Sequence, residues 1–411
     1  MIIVDKDRLA AELDTLGTFS DAPVPAVTRI VFSQQDLRAR AWLKHLYADA
    51  GLDVREDAAG NTFARWHGAD PTLPAVGTGS HTDAIPHSGR YDGTVGVLGG
   101  LEAIRALQRS GIKPRRSIEL LMFTSEEPTR FGIGCLGSRL LSGAMDVSRA
   151  AALKDSEGQT LEEVRHAAGY RGALNTVVLQ PGYYSGFIEL HIEQGPLLER
   201  RGVPLGIVTA IAAPASLTVT IEGQGGHAGA VLMPDRHDAF LAAAEIALAL
   251  ENAALSTGAV DSVATTGICE VFPGAVNSIP SRVRLAMDIR DTDLTRRDGM
   301  LADLAKACSV ISARRGVTAN LEVINRDAPA ACDPVSIAAL IEACRKHALT
   351  YDLMVSRAYH DSLFVSRVCP TSMLFIPCRG GFSHRPDEYS SPEAIGKGVL
   401  ILAEALASLA A

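Results

Sequence analysis

Four stretches of the chain present side chains that suit a metal ion. The first, Gly79-Ser-His-Thr-Asp-Ala-Ile-Pro-His-Ser-Gly-Arg-Tyr-Asp-Gly93, gives a His-x-Asp at His81 and Asp83, then Asp92 beside Gly93. The others are Glu126-Glu127 in Ser125-Glu-Glu-Pro128, His191 in Leu190-His-Ile-Glu-Gln-Gly195, and His384 in Gly381-Phe-Ser-His-Arg-Pro386. Imidazole and carboxylate donors suit zinc, manganese or cobalt, and one carboxylate bridging two ions is an economical two-metal arrangement. His81 can ligate, Asp83 can hold its imidazole from behind, and Asp92 can bridge. Of the adjacent glutamates, one can ligate while the other takes the proton of an attacking water and returns it to a leaving nitrogen. Each stretch has a plainer reading too. A lone strand histidine can be structural, paired glutamates can open a helix, and Asp-Gly can be a turn.

What singles these stretches out is the element in front of each. Pro74-Ala-Val-Gly, Ser117-Ile-Glu-Leu-Leu-Met-Phe-Thr124, Gly186-Phe-Ile-Glu-Leu and Thr371-Ser-Met-Leu-Phe-Ile-Pro377 are apolar runs of strand length. Behind the first, Val95, Val97, Leu98, Leu101, Ile104 and Leu107 recur at helical spacing, so strand, polar loop and helix are expected. In an α/β sheet, ligands collect beyond the carboxyl ends of the strands, where all four stretches would lie. Residues 5–53 read as mostly helical, Asp53 to Trp66 as a hairpin turning at Gly60-Asn61, and 136–186 as weakly patterned.

From about residue 213 the pattern changes. Ser216–Glu222, Ser262–Phe272, Arg282–Ile289 and Thr318–Ile324 read as strands, with helices at Asp235–Leu255 and Leu294–Arg314. That βαββαβ order predicts a ferredoxin-like unit. Asp333–Ala348 and Ser391–Leu409 return to helix, the latter with Ser391-Pro392 as its start. The expectation is an α/β domain with a mixed sheet flanked by helices, residues 1–212 and 327–411, and an inserted α+β domain, 213–326.

The chain has 411 residues, 47% hydrophobic and 21% charged, which predicts two globular domains. A net charge of −8 without blocks of like charge gives no reason to expect nucleic acid. No run approaches the roughly 18 apolar residues of a membrane span, so no membrane is expected. The N-terminus, Met-Ile-Ile-Val-Asp-Lys-Asp-Arg, has no apolar signal core. Seven scattered cysteines without Cys-x-x-Cys predict free thiols and a cytoplasmic protein.

The ordered set His81-x-Asp83, Asp92-Gly93, Glu126-Glu127, His191 and His384 resembles the M20 metallopeptidase-like amidohydrolases, over nearly the whole chain. Within them it is similar to the branch acting on carbamoyl (ureido) groups. The strings Ser80-His-Thr-Asp-Ala-Ile-Pro-His-Ser-Gly-Arg-Tyr-Asp-Gly93, Phe123-Thr-Ser-Glu-Glu-Pro-Thr-Arg-Phe-Gly132 and Arg357-Ala-Tyr-His-Asp-Ser-Leu-Phe364 look most like the ureidoglycolate-cleaving members. Ala358-Tyr359-His360-Asp361-Ser362 departs from the branch's usual Gly-His-Asp-Ala-type string in the way those members do.

The resemblance implies a zinc-peptidase-like catalytic domain holding two divalent ions. Manganese is the metal it favours, with zinc, cobalt or nickel as alternatives. Asp92 would bridge, His81 and His191 would complete one site, and Glu127 and His384 the other. Glu126 would be the general base and Asp83 would orient His81. In the inserted domain, which would act as a lid and make a homodimer, His227 would stabilise the oxyanion, reaching the partner subunit's site. Asn277 and Arg290 would hold the substrate carboxylate, Arg290 through its planar fork. Gln194 and His360 would touch substrate or metal. The implied substrate is a small ureido-carboxylate, (S)-ureidoglycolate, with N-carbamoyl-L-amino acids or allantoate as alternatives and a non-catalytic binding protein as the rival class. His87 is read as structural, and the cysteines as inert packing, with Cys378 alone near the pocket.

Overall fold

The computed structural model describes residues Met1 to Ala411. The four apolar runs form β1 (Ala75–His81), β2 (Ile118–Phe123), β3 (Tyr184–Ile192) and β4 (Thr371–Ile376). They lie in the order β4-β3-β1-β2, and each neighbouring pair is parallel. Thr62–Trp66 and Asp53–Glu56 extend the sheet antiparallel beyond β2, and Gly206–Ile211 beyond β4, within a mixed sheet of nine strands. Parallel strands covered on both faces need apolar residues at nearly every position, and these have them. Ile118, Leu120 and Met122 of β2 point into one core, Leu121 and Phe123 into the other.

Helices α1 (Thr94–Arg109) and α2 (Pro392–Leu409) cover the first face, with Leu98, Leu101, Val399 and Leu402 fully buried. Short helices from the weakly patterned region, Leu136–Leu141, Val147–Ala151 and Leu161–Ala167, cover the second. The polar loop after β1 holds an element the sequence reading missed. Ala84–Ser88 is a strand, paired antiparallel with Val27–Arg29. Pro86 and His87, the latter exposed at φ +56°, hide its pattern.

The chain gathers into two compact units. One comprises Met1–Thr209, Ala331–Ser356 and His360–Ala411; the other comprises Ala210–Ala330 and Arg357–Tyr359. The second unit has a four-stranded antiparallel sheet in the order Val263–Phe272, Arg282–Asp291, Ala213–Glu222, Thr318–Arg326. Helices Ala239–Ser256 and Leu294–Arg315 pack on it through Ala242, Ile246, Leu250, Leu304 and Ile311. One expectation needs correction here. Ala239–Ser256 is long and apolar enough to cross a membrane by length and composition, because its many alanines count as apolar. In this fold its Ala242, Ile246 and Leu250 side is core, and its Glu245 pairs with Arg314 and Arg315.

Candidate metal centre

β1 and β3 deliver His81 and His191 at their carboxyl ends, and β2 runs on through Thr124 and Ser125 to Glu126-Glu127. Asp92 stands at the mouth of α1, brought in by Gly93. Gly93 has φ +66°, and a Cβ there would lie 2.4 Å from His81 Nε2, so only glycine lets the chain pass. Gly381, at φ +71°, likewise lets the His384 loop touch Gly195, where a Cβ would come within 2.5 Å of backbone. Four of the seven non-glycine residues at positive φ belong to this region: Ser125, Cys135, Gln194 and His384. Strain of about 1–3 kcal/mol per residue is thus concentrated where donors must converge.

Asp92 faces two groups of donors. Its Oδ1 lies 3.5 Å from His81 Nε2 and 3.2 Å from His191 Nε2, and its Oδ2 lies 3.5 Å from His384 Nε2. His384 Nε2 is also 3.4 Å from Glu127 Oε1. Both sets, His81–Asp92–His191 and Asp92–Glu127–His384, have the proximity a single ion requires. Donors on one ion with bonds of about 2.1 Å sit roughly 3.4 Å apart in tetrahedral geometry. His81 Nδ1 is 3.0 Å from the Asp83 carbonyl and His191 Nδ1 is 2.9 Å from the Ile192 carbonyl. A carbonyl only accepts, so each Nδ1 carries the hydrogen and each Nε2 offers a lone pair on the Asp92 side, that of His191 also accepting from the Gly93 amide at 3.1 Å. His81 Nε2 is fully buried with no hydrogen-bond partner. A lone pair aimed at carboxylates makes sense with a cation between them, so these residues fit a metal ion.

The electrostatics agree. Burial alone would raise Asp92, but the imidazoles of His191, His384 and His81 around it hold its carboxyl well below the usual range. Burial pushes Glu126 well above its ordinary value, against His81, with Glu127 and Asp361 adding to the rise. Burial and Asp92 push Glu127 up to about 7. The Asp92 hydrogen bond raises His384, the one exposed member of the set, to about 9. Crowded acids that demand positive charge mark a cation site.

The Glu126-Glu127 segment is held on both sides. Asn61 Oδ1 accepts from the Thr124 amide at 2.9 Å, and the carbonyls of Thr124, Ser125 and Glu126 accept from the amides of Gly137, Leu136 and Cys135. Asp83 Oδ1 accepts from the Glu126 amide at 3.2 Å and Oδ2 from the Glu127 amide at 3.0 Å. Asp83 therefore differs from its expected role. Its backbone carbonyl holds His81, the carboxylate lying 3.8 Å from Nδ1, while the carboxylate fixes the two glutamates.

Gln194 Nε2 donates to Asp92 Oδ2 at 2.6 Å. His360 is buried edge-on against His191, centroids 4.6 Å apart, with Nε2 3.0 Å from Ser356 Oγ. Glu189, His191 and His360 also lie close enough for one ion. Glu189, however, already accepts from Ser80 Oγ and from the Ser362 amide and hydroxyl. In the second unit, His227 pairs with Ser278, and the Ala228 amide donates to the Asn277 carbonyl, so His227 and Asn277 are neighbours. Arg290 donates from Nε to Asp288 Oδ1 at 2.6 Å and lies 5.5 Å over the Tyr359 ring.

Among the thiols, one that the sequence did not single out meets a candidate site residue. Cys135 Sγ donates to Glu126 Oε1 at 3.3 Å, whereas Cys378 lines a cavity of about 620 Å³ with Leu198, Val203, Leu349 and Tyr389. Glu388 and Ser383 were also missed. Ser383 Oγ lies 2.5 Å from Asp92 Oδ2 and 3.0 Å from Glu388 Oε2. The signal for Glu388 was an acid four residues after a loop histidine, which reads equally as a surface turn.

Residues 77–408 match the peptidase family M20/M25/M40. The ureidoglycolate hydrolase of Arabidopsis thaliana is 52% identical over 413 residues, covering 99% of this chain and 87% of that protein. The N-carbamoyl-L-amino acid amidohydrolase of Geobacillus stearothermophilus is 36% identical, covering 97% of each. The crystal structure of AtUAH in complex with (S)-hydroxyglycine superposes with a TM-score of 0.92 at 51% identity, covering 100% of this chain and 98% of that one.

Proposed function

The chain belongs to the M20/M25/M40 peptidase family, a metal-dependent family, and from that premise we propose that it hydrolyses (S)-ureidoglycolate with two divalent ions. It is a hydrolase of amide-type C–N bonds acting on a small molecule. The observation that carries the two-ion reading is Asp92, whose two oxygens each face a separate donor group. His81 and His191 would hold one ion and Glu127 and His384 the other, Asp92 serving both. Manganese is the metal proposed; the donor set suits zinc equally. When bound, such ions polarise a carbonyl and acidify water at neutral pH.

Glu126 is left over from the donor sets, in contact with Glu127 and His81, and its proton affinity is raised by burial. That is the setting of a general base that later acts as an acid. It takes the proton of the attacking water and returns it to the departing ammonia of the terminal carbamoyl group. The carbamate left behind loses carbon dioxide to give hydroxyglycine, which loses ammonia to give glyoxylate. The second ligand-bound AtUAH structure holds glyoxylate, so the two complexes match successive products of this sequence. In the same proposal Asn277 and Arg290 take the substrate carboxylate and His227 the developing oxyanion. Gln194 and His360 keep Asp92 and His191 in place. Dimerisation through the second unit and a cytoplasmic location belong to the proposal as well; the free thiols support the latter.

The test is ammonia release from (S)-ureidoglycolate by chelated protein reloaded with Mn²⁺, beside N-carbamoyl-L-amino acids and allantoate. Fastest turnover of ureidoglycolate is expected. Glu126→Gln should lower kcat by about 10²–10⁴-fold with metal content unchanged. Faster cleavage of an N-carbamoyl amino acid would shift the assignment to the activity of the Geobacillus relative.

A further inference from the structure

Glu388 is buried, 4% exposed, and belongs to none of the donor groups. Its Oε1 accepts from the Tyr91 amide at 2.7 Å and the Asp92 amide at 3.1 Å. Its Oε2 lies 3.0 Å from Ser383 Oγ, which reaches Asp92 Oδ2 at 2.5 Å. The loop that carries both residues is closed by the Arg379 amide on the Tyr389 carbonyl at 2.8 Å and by the Glu388 amide on the Arg385 carbonyl at 3.1 Å. From the other side the Gly89 backbone packs so closely that a Cβ there would sit 2.4 Å from Glu388. One carboxylate therefore ties the Asp92 turn to the loop of His384.

We infer that Glu388, acting through Ser383, is a positioning residue for the half of the centre made by Asp92, Glu127 and His384. The inference rests on the two-ion reading above. Asp92 Oδ2 is the oxygen on the His384 side, and it takes hydrogen bonds from Ser383 and Gln194, whereas Oδ1 faces His81 and His191. His384 is exposed and at positive φ, so its own contacts hold it less firmly than the strand-borne His81 and His191 are held. Ser383, its chain neighbour, supplies the missing anchor. Loss of the Glu388–Ser383 link thus frees Asp92 Oδ2 and His384 together and leaves the His81–His191 half, built on β1 and β3, intact. Residues that orient metal ligands typically set affinity by 10–100-fold.

The test is calorimetric titration of Mn²⁺ into metal-free wild type, Glu388→Ala and Ser383→Ala, with circular-dichroism melting of each metal-free protein. Wild type should take two ions per chain. Both variants should keep one ion at wild-type affinity and bind the second about 10- to 100-fold more weakly. Ser383→Ala removes a single hydroxyl, and so decides the matter if Glu388→Ala melts early. Two ions bound by the variants as in wild type would overturn this inference alone. Equal weakening of both ions would overturn it too, since the effect would then be general. A wild type that binds one ion would remove the two-ion reading and this inference with it.

Discussion

Asp83→Asn turns one oxygen of a buried side chain into an NH₂ group and leaves the backbone carbonyl on His81 where it is. In the native protein each carboxylate oxygen takes one amide, from Glu126 and from Glu127. A hydrogen bond to a charged group contributes about 1.5–3 kcal/mol. In the variant one amide keeps a neutral acceptor and the other meets an NH₂ group, a loss of roughly 2–4 kcal/mol across the pair. Expressed as displacement of Glu126 during proton transfer, that lowers kcat roughly 30- to 900-fold, at 1.36 kcal/mol per decade. The assay is kcat beside a Mn²⁺ titration. Turnover should fall while the tighter ion binds within about threefold of wild type, since His81 keeps its carbonyl partner. Unchanged kcat would refute the reasoning. So would loss of the tighter ion, which follows instead if the Asp83 carboxylate orients the imidazole.

Gly93→Ala should abolish binding of at least one ion, because its Cβ would press on His81 Nε2 at 2.4 Å from a backbone at φ +66°; titration with Mn²⁺ reads this directly. Chelation should lower the melting temperature, and metal at about 100 times its Kd should restore about 2.7 kcal/mol; a melt indifferent to metal would contradict the buried, orphaned His81 Nε2. Burial raises the Asp57 carboxyl to about 6 from 3.8, against hydrogen bonds from Asn61 and Ala59. The folded chain then holds this proton more tightly than the unfolded chain. The group costs nothing below about pH 4 and progressively more as pH rises through about 6, up to about 3 kcal/mol. Relative to wild type, the melting temperature of Asp57→Asn should therefore climb between pH 4 and 7, and a flat difference would dismiss the effect.

The residues proposed for the metal centre were legible in the chain because each follows an apolar run. Such a run must become a strand buried on both faces, and parallel strands bring their carboxyl ends together. His81, Glu126-Glu127 and His191 follow from that logic, as does the helix of Val95 to Leu107 behind Asp92. The alternation of the second unit's strands and helices was equally plain, because periods of 2 and 3.6 are local properties. The strand Ala84–Ser88 was not, since its partner Val27–Arg29 comes from another part of the chain.

Sequence alone therefore determined which side chains could meet at the strand ends, and tertiary structure decided what each of them touches. Asp83 turned its carboxylate to two amides and its carbonyl to His81. Cys135 rather than Cys378 met the buried Glu126. Glu388, unremarkable in Arg385-Pro-Asp-Glu, closed on amides nearly three hundred residues earlier, at separations of 297 and 296. Spacing along a chain governs contacts within a turn or a strand. Partners this remote are chosen by how the sheet stacks its strands and by the close approaches that Gly93 and Gly381 permit.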